Sequence, residues 1–364
     1  MRIDAAVCRE GSPVPVIESL DLDEPRPGEI LVRLVATGVC HTDLRVASRL
    51  GGPRPIVLGH EGAGVVERVG EGVSDLAAGQ RVLMSYSFCG ACPSCRRRAK
   101  AYCLQSMPRN FGGLRPDGTS PLSKGGQPVF ANFFGQSSFA SHAVCEARQV
   151  VKAPEDLPLE ILAPLGCGVQ TGAGAVLNAF GLAPGQSLAV FGTGSVGLSA
   201  VMAAKAAGAS RIFAVDVNPA RLELASELGA TEAIDPSRHD PVAAIVELTG
   251  GGVDFVLNTT DIPRVYLQGI ACLGPQGTFG FVTAPGVELG LNLSPILLGG
   301  RRIQGIVQGD SEPQSFIPAL IELHRQGRFP LDRLITPYPF DRIAEAMHAS
   351  EVGEAIKPVL IFNS

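Results

Sequence analysis

The chain has 364 residues, a formal net charge of −5 at pH 7, and 45% hydrophobic and 18% charged residues. This length predicts two domains, and the 44 glycines and 28 prolines predict many turns within a packed globular protein. The acidic balance argues against a nucleic-acid partner, and the most membrane-like run, residues 187–209, is broken by polar residues before it reaches bilayer length, which argues against a membrane protein.

The first third of the chain has the pattern of an irregular β-rich domain. Residues 29–39, 57–73 and 77–86 contain β-branched runs broken by glycine and polar turns, which predicts short strands. Residues 104–138 are rich in Gly, Pro, Phe and Asn and are predicted to form a loop region with one or two short elements. The N-terminus lacks the long apolar core of a secretory signal, so we expect a cytoplasmic protein.

Four of the nine cysteines lie in one short segment, CGACPSCRRRAKAYC. A reducing compartment disfavours disulfides, and the odd cysteine count fits free thiols together with metal ligands. Cys-x-x-Cys spacing lets neighbouring thiolates converge on one tetrahedral ion, and a set of four thiolates is saturated and therefore structural. The predicted ligands of this structural zinc are Cys89, Cys92, Cys95 and Cys103. The alternatives are a disulfide cluster and a redox pair formed by two of these cysteines.

From about residue 169 the pattern changes to strands that alternate with helices. Residues 187–192 and 211–217 predict short buried strands, whereas residues 195–209 and 219–230 have helical composition. Strands that alternate with helices of about a dozen residues predict parallel βαβ units. The fold class is therefore α/β, with a doubly wound parallel-sheet domain of the Rossmann type joined to the β-rich domain.

A glycine motif lies between the first predicted strand and the first predicted helix of this region. The segment FGTGSVG places Gly192, Gly194 and Gly197 in the G-x-G-x-x-G spacing, and Asp216 follows at the end of the second strand. The three glycines suit a tight turn, a close approach to a pyrophosphate and close helix–strand packing. Asp216 can accept hydrogen bonds from the adenosine ribose and would repel a 2′-phosphate, which favours NAD over NADP. The alternatives are a glycine-rich turn without a ligand and a helix-capping role for Asp216.

A second, dispersed set of metal-binding residue types comprises Cys40, His60 and Cys167. Two sulfurs and one imidazole nitrogen make an incomplete tetrahedron, which is the pattern of a catalytic zinc with an open position. Spacing alone does not establish this triad, because a lone Gly-His-Glu is more often ordinary structure and buried cysteines usually serve packing.

Taken together, these motifs resemble the zinc-dependent medium-chain alcohol dehydrogenases over essentially the full chain. The segments that carry the resemblance are GVCHTD, LGHEGAGVVERVG, the four-cysteine segment, PLGCGVQTGAGAV, GTGSVGLSA and AVDVNPARLELA, which occur in the family's order. Within the family, GVCHTDL, QSSFASHAV and RNFGG look most like the benzyl-alcohol (aryl-alcohol) and geraniol dehydrogenases. The resemblance implies a GroES-like catalytic domain at residues 1–168 with a structural-zinc lobe at about 86–104, a Rossmann domain at 169–307, and a return to the catalytic domain at 308–364.

The resemblance also implies roles for individual residues. The implied ligands of a catalytic zinc are Cys40, His60 and Cys167. Asp43 matches a carboxylate that orients the ligand histidine, Glu61 matches a carboxylate behind the metal, and Thr42 matches the hydroxyl that takes the alcohol's proton. Implied cofactor contacts are His41 and Lys357 at the pyrophosphate, Arg221 near the adenosine ribose and Thr171 on the nicotinamide side.

The chain departs from the family pattern at Arg45. Many family members have a histidine there that passes the relayed proton to solvent, and an arginine cannot be deprotonated to do so. The implied activity is the reversible oxidation of a primary alcohol, aromatic or allylic, to the aldehyde with hydride transfer to NAD, in a homodimer or homotetramer with two zinc ions per subunit. The alternatives are a glutathione-adduct dehydrogenase, an aldehyde reductase and a non-enzymatic zinc protein that binds NADH.

Overall fold

The computed structural model describes residues 1–48 and 54–363. Within those ranges no helix has both the length and the apolar character needed to cross a bilayer. The chain divides into two compact units. Unit 1 comprises Met1–Cys167, Glu312–Pro318 and Leu331–Ser364, and unit 2 comprises Gly168–Ser311 and Ala319–Pro330. Residues 308–311 and 319–330, which the sequence interpretation assigned to the catalytic domain, therefore belong to unit 2; in this segment the guanidinium of Arg328 donates to the carbonyl of Ala206.

The strands are defined in chain order. They are β1 (Arg2–Arg9), β2 (Ser12–Leu22), β3 (Glu29–Gly38), β4 (Ile56–Val57), β5 (Gly62–Val69), β6 (Arg81–Met84), β7 (Leu122–Lys124), β8 (Gln127–Val129), β9 (His142–Glu146), β10 (Val150–Lys152), β11 (Ser187–Phe191), β12 (Arg211–Val215), β13 (Glu232–Ile234), β14 (Val253–Asn258), β15 (Leu273–Phe281), β16 (Arg302–Gly305), β17 (Ile335–Pro339) and β18 (Lys357–Ile361).

The helices are defined in the same way. They are α1 (His41–Ser48), α2 (Pro93–Arg96), α3 (Ser106–Phe111), α4 (Leu159–Leu162), α5 (Gly168–Gly174), α6 (Ser195–Ala207), α7 (Pro219–Leu228), α8 (Pro241–Thr249), α9 (Pro263–Ala271), α10 (Ser294–Gly299), α11 (Pro313–Arg325) and α12 (Ile343–Val352).

Unit 1 is β-rich, as the glycine-broken strand pattern predicts. One sheet has the strand order β4-β1-β2-β7-β8, and a second has the order β10-β6-β5-β3-β18-β17, with β9 also paired to β3. Strand β18 runs antiparallel to β3, with Val359 opposite Gly38, so the C-terminal strand returns to the centre of this unit. The predicted loop region 104–138 contains α3 and the β7–β8 hairpin.

Unit 2 contains a six-stranded parallel sheet in the order β13-β12-β11-β14-β15-β16. Counted within the unit this is the order 3-2-1-4-5-6, the doubly wound arrangement that binds dinucleotides at the carboxyl ends of its strands. The predicted fold class is confirmed. Side chains such as Phe213 and Val256 are buried on one face of the sheet, and side chains such as Val190 and Leu257 are buried on the other, because parallel strands are covered by their crossover helices.

Candidate metal centres and nucleotide site

Three segments distant in sequence bring Cys40, His60 and Cys167 together with Glu61. Their ligand atoms lie within 4.8 Å of one another, and all four residues are buried. Cys40 lies between β3 and α1, and His60 lies between β4 and β5. The turn before Cys167 packs tightly on unit 1, because a Cβ added at Gly166 would lie 2.2 Å from the carbonyl oxygen of Met84. The structure thus assembles the dispersed set that spacing alone does not establish.

The Asp43 carboxylate fixes the orientation of the His60 ring. Its Oδ1 accepts hydrogen bonds from His60 Nδ1 and from the Gly59 backbone amide, each at 3.0 Å, and its Oδ2 accepts one from the Cys40 amide at 3.0 Å. Because an ionised carboxylate only accepts, Nδ1 donates its hydrogen to Asp43, and Nε2 is the nitrogen that would bind a metal. His60 Nε2 is buried without a hydrogen-bond partner among the described residues, as a nitrogen reserved for a metal would be.

The electrostatics of the set favour a cation. A hydrogen bond with Cys167 lowers the pKa of the Cys40 thiol well below its ordinary value against the cost of burial, with help from the charge of Lys357. Burial opposes protonation of His60, but the charges of Asp43 and Cys40 outweigh it and raise its pKa. The Cys40 thiolate and two carboxylates buried with one lysine leave an excess of negative charge that a divalent ion offsets. The residues therefore fit zinc.

Lys357 lies inside this cluster. Its side chain is 2% exposed, and Nζ donates to the Val39 carbonyl at 3.1 Å and to both carboxylate oxygens of Glu61 at 3.0 Å. Burial disfavours the ammonium, but the charge of Glu61 prevails and raises the pKa of Lys357. All three ammonium hydrogens have acceptors within unit 1, so the predicted contact of Lys357 with a pyrophosphate stays a prediction.

The first turn of α1 places Thr42 next to the cluster. Its hydroxyl oxygen lies 3.8 Å from Cys40 Sγ, and the side chain is half-buried. His41, the preceding residue, is exposed, and Arg45 is half-buried one turn later on the same helix. A hydroxyl that lies beside a cluster sulfur is thus adjacent in the chain to an exposed imidazole.

The four-cysteine lobe forms a second, separate cluster. The sulfur–sulfur distances are 3.9 Å for Cys89–Cys95, 3.5 Å for Cys92–Cys95 and 4.0 Å for Cys92–Cys103. A tetrahedral zinc with Zn–S of about 2.3 Å requires sulfurs about 3.8 Å apart, so the thiols fit one ion. All nine cysteines are free thiols, which does not support the disulfide alternative.

Backbone amides of the lobe donate to its sulfurs. Cys89 Sγ accepts from the amides of Ala91 and Cys92 at 3.4 and 3.3 Å, and Cys103 Sγ accepts from the amide of Gln105 at 3.4 Å. Amide hydrogen bonds from Cys95 and Leu104 lower the pKa of the Cys92 thiol to about 6, whereas burial raises the pKa of the Cys95 thiol to about 12. Because a metal binds the thiolate, these donors prepare the lobe for an ion.

Ion pairs attach the lobe to the start of α11. Arg98 Nε donates to Glu312 Oε2 at 2.9 Å, and Lys100 Nζ lies 2.7 Å from Glu312 Oε1. The hydrogen bond from Lys100, followed by that from Arg98, lowers the pKa of Glu312 against the effect of burial. Glu312 therefore joins the lobe to the segment at which the chain re-enters unit 1.

In unit 2, the glycine motif turns from β11 into α6. Gly192 has φ of +87°, and a Cβ there would lie 2.4 Å from Thr259 Oγ1, so a side chain is excluded. A Cβ at Gly197 would lie 1.9 Å from the Gly192 carbonyl oxygen. At Gly194 an added Cβ meets nothing within 4 Å, so that glycine leaves open space at the N-terminus of α6. Open space at a helix N-terminus fits an approaching pyrophosphate.

Asp216 follows β12 and faces the glycine motif. Its Oδ2 accepts from the Thr193 amide at 2.7 Å and from Thr193 Oγ1 at 3.0 Å, and its Oδ1 accepts from the Asn218 amide at 2.9 Å. The N-cap of α7 is Asn218, whose side chain accepts from the amides of Ala220 and Arg221. The helix-capping alternative for Asp216 therefore does not describe this structure.

Two further predicted cofactor residues, Arg221 and Thr171, also lie in unit 2. Arg221 is on the first turn of α7, and its Nε is buried without a hydrogen-bond partner in the described part of the chain. Thr171 lies on α5, which packs so closely on α6 that a Cβ at Gly172 would lie 1.9 Å from the Val196 carbonyl oxygen. Their contacts with a dinucleotide stay predictions.

The sequence did not predict the contacts that several residues make at these sites. Phe134 stacks on the His60 ring with centroids 4.3 Å apart, and Phe133 meets it edge-on at 5.4 Å. Gln136 Nε2 donates to the His60 carbonyl at 3.0 Å while its Oε1 accepts from the Gly62 amide, so it supports the backbone on both sides of the histidine. Thr193 occupies a variable position of the glycine motif. The only feature of the sequence that could have indicated its role is that its side chain carries a hydroxyl.

Comparison with known proteins identifies relatives along the whole chain. The family model described as alcohol dehydrogenase GroES-like domain matches residues 26–155, and the one described as zinc-binding dehydrogenase matches residues 195–325. A geraniol dehydrogenase of Castellaniella defragrans is 50% identical over 363 residues, covering 98% of this chain and 97% of that protein.

Solved structures agree with this result. An alcohol dehydrogenase zinc-binding domain protein from Burkholderia ambifaria is 50% identical with a TM-score of 0.97, and both chains are covered completely. The benzyl alcohol dehydrogenase of Acinetobacter calcoaceticus is 44% identical with a TM-score of 0.96, again over 100% of each chain.

Proposed function

Because this chain belongs to the family of zinc-binding alcohol dehydrogenases with a GroES-like domain, we propose that it oxidises a primary allylic or aromatic alcohol to the aldehyde and transfers the hydride to NAD. The reaction is reversible, so the same site reduces the aldehyde. The observation that carries the proposal is the buried set of Cys40, His60 and Cys167. Two sulfurs and one nitrogen leave a tetrahedral ion one ligand short, and that position is where an alcohol oxygen would bind.

We propose two zinc ions per chain, a catalytic one held by this set and a structural one held by the four cysteines of the lobe. Bound zinc would supply a Lewis acid that lowers the pKa of an alcohol, and bound NAD would supply the hydride acceptor. The chain itself contributes binding, orientation and proton transfer.

Asp43 and Lys357 prepare the site for the ion. Asp43 holds the Nδ1 proton of His60, so Nε2 stays available as a ligand and is more basic. Lys357 pairs with the Glu61 carboxylate at the back of the cluster and balances its charge. Glu61 thereby stays beside the ligands without adding an unpaired buried charge.

Thr42 is the group that would take the alcohol's proton. Its hydroxyl lies beside Cys40 Sγ and can both accept and donate a hydrogen bond, so it can accept one proton while releasing another. The next acceptor is water, the exposed His41 or a cofactor hydroxyl, because the guanidinium of Arg45 has no basic lone pair to offer.

Aromatic side chains beside His60 support an unsaturated substrate. Phe134 stacks on the imidazole, and Phe111 meets Phe133 and Phe134 with centroids 5.9 and 5.1 Å apart. Planar apolar groups pack well against such edges and faces. The named activities of the geraniol and benzyl alcohol dehydrogenases point in the same direction.

NAD rather than NADP is proposed from Asp216. A carboxylate at the end of the second strand accepts from a ribose hydroxyl and repels a 2′-phosphate. The open space at Gly194 is where the pyrophosphate would lie.

We also propose a homo-oligomer, either a homodimer or a homotetramer, in which β16 meets the same strand of a second copy. In the described part of the chain β16 is one of the two edge strands of its sheet, and Leu293, Leu297 and Leu298 nearby in sequence are 67%, 80% and 85% exposed. Exposed edges and apolar patches of this kind are usually covered.

Nine free thiols support a reducing, cytoplasmic location.

The test of the proposed function is a turnover screen with a metal count. Purified protein is assayed for NADH formation with benzylic, terpenoid and aliphatic alcohols, with NAD and NADP, and with glutathione adducts and enals as rival substrates. We expect the fastest turnover with a benzylic or allylic primary alcohol and NAD, at two zinc ions per chain. Preferential turnover of a thiol adduct, or binding of NADH without any turnover, would contradict the proposal.

A further inference from the structure

The Thr193 side chain holds the Asp216 carboxylate. The amide and the hydroxyl of Thr193 both donate to Oδ2, at 2.7 and 3.0 Å. Thr193 is fully buried, so water does not compete for its hydroxyl. Every residue except proline would offer the amide at this position, but the second donor requires a short hydroxyl side chain such as that of serine or threonine. Thr193 therefore contributes a bond that the G-x-G-x-x-G spacing does not specify.

The remaining contact of Asp216 completes a fixed arrangement. Oδ1 accepts from the Asn218 amide at 2.9 Å. A carboxylate has about four acceptor positions, and three donors occupy three of them. The plane of the carboxylate is thus set from both sides, and about one acceptor position remains on Oδ1.

We propose that Thr193 is a specificity-determining positioning residue for the dinucleotide: it holds Asp216 so that the remaining acceptor position receives a ribose hydroxyl and rejects a 2′-phosphate. This inference rests on the proposed use of NAD. A carboxylate that is free to rotate can turn away from a phosphate, whereas one held by Thr193 cannot. Arg221, five residues beyond Asp216 on the first turn of α7, is a cation that could then attract the phosphate.

The test measures dinucleotide binding directly. Titration with NADH and with NADPH, followed by nucleotide fluorescence, gives two dissociation constants for the wild type and for Thr193→Val, which keeps the side-chain shape and the amide donor. We expect the preference for NADH over NADPH to fall about tenfold or more, since one hydrogen bond to a charged group is lost. Thr193→Ser should restore the preference, and Thr193→Ala is the second variant if valine disturbs folding.

Ser187 provides a matched control at the start of β11, the strand that leads into the glycine motif. At the opposite end of β11, its amide and hydroxyl donate to Asp254 Oδ2 at 2.8 and 2.7 Å, the same arrangement away from the glycine motif. Ser187→Ala should leave the NADH-to-NADPH ratio at the wild-type value. A general loss of stability would weaken the binding of NADH and NADPH alike in either variant. Only the loss of the positioning role would change the ratio of the two dissociation constants, and only in the Thr193 variants.

The outcomes distinguish this inference from the proposed function. If the wild type prefers NADH and both Thr193→Val and Thr193→Ala keep its ratio, the positioning role is overturned and the use of NAD stands. If the wild type binds NADPH more tightly, or binds neither dinucleotide, the proposed cofactor fails and this inference fails with it.

Discussion

Replacing Asp43 by asparagine should loosen the proposed catalytic zinc without disturbing the lobe zinc. The Asp43 carboxylate is fully buried and accepts three N–H donors, two on Oδ1 and one on Oδ2. Asparagine has one acceptor oxygen, so in either orientation its NH₂ group faces at least one of these donors. One buried donor left unpaired costs about 1–3 kcal/mol of unfolding free energy.

The same change removes the charge that orients His60. Loss of such a partner of a metal-binding histidine typically weakens metal affinity about 10–100-fold, which corresponds to about 1.4–2.7 kcal/mol. The assay is zinc content per chain after dialysis against increasing chelator. We expect the variant to lose one zinc ion at about 10–100-fold lower chelator strength than the wild type, while the lobe zinc serves as an internal reference.

Asp117→Asn is the control variant in the same unit. Asp117 is exposed and accepts from the Thr119 amide and hydroxyl at 3.0 and 2.7 Å, away from both cysteine clusters. Its zinc release should follow the wild type. Release of both ions from Asp43→Asn at wild-type chelator strength would refute the role of Asp43.

Three further predictions concern stability. Cys95→Ser should lower the melting temperature and the zinc content by one ion per chain, and a variant that lost turnover with unchanged melting would contradict the division of the two zincs. Glu312→Gln should lower the unfolding free energy by about 1 kcal/mol or less at pH 7. Because Lys100 lowers the pKa of Glu312 below 4.5 in the folded chain, this loss should disappear as the pH falls below about 4.5. A difference in chemical denaturation that does not depend on pH would contradict the ion pair. Lys357→Met leaves Glu61 buried without its cation and should lower the unfolding free energy by about 3–5 kcal/mol, so a loss below about 1 kcal/mol by urea denaturation would contradict that pairing.

Sequence reasoning is most informative where the participating residues are close in the chain. The four-cysteine lobe and the glycine motif each lie within a short segment, so their spacing already reflects their geometry. The strand–helix alternation likewise predicted the doubly wound sheet, because each βαβ unit is a local pattern. The fold class and the two local sites could therefore be predicted from the residues themselves.

The dispersed site could not be predicted in that way. Cys40, His60 and Cys167 meet only through the packing of separate elements, and family resemblance was the only link between them. Lys357 shows the same limit: β18 pairs with β3 beside Gly38, and this long-range register brings the lysine to Glu61. No local signal around residue 357 reports which strand it will pair with.

The most direct test of the central claim pairs metal content with turnover in Cys40→Ser. An alcohol oxygen needs the open position of an ion held by Cys40, His60 and Cys167, so this variant should hold one zinc ion per chain instead of two and form no NADH from a benzylic or allylic alcohol. It should still bind NADH, because the dinucleotide contacts proposed in unit 2 are unchanged. Wild-type turnover by a Cys40→Ser protein that retains only the lobe zinc would contradict the account.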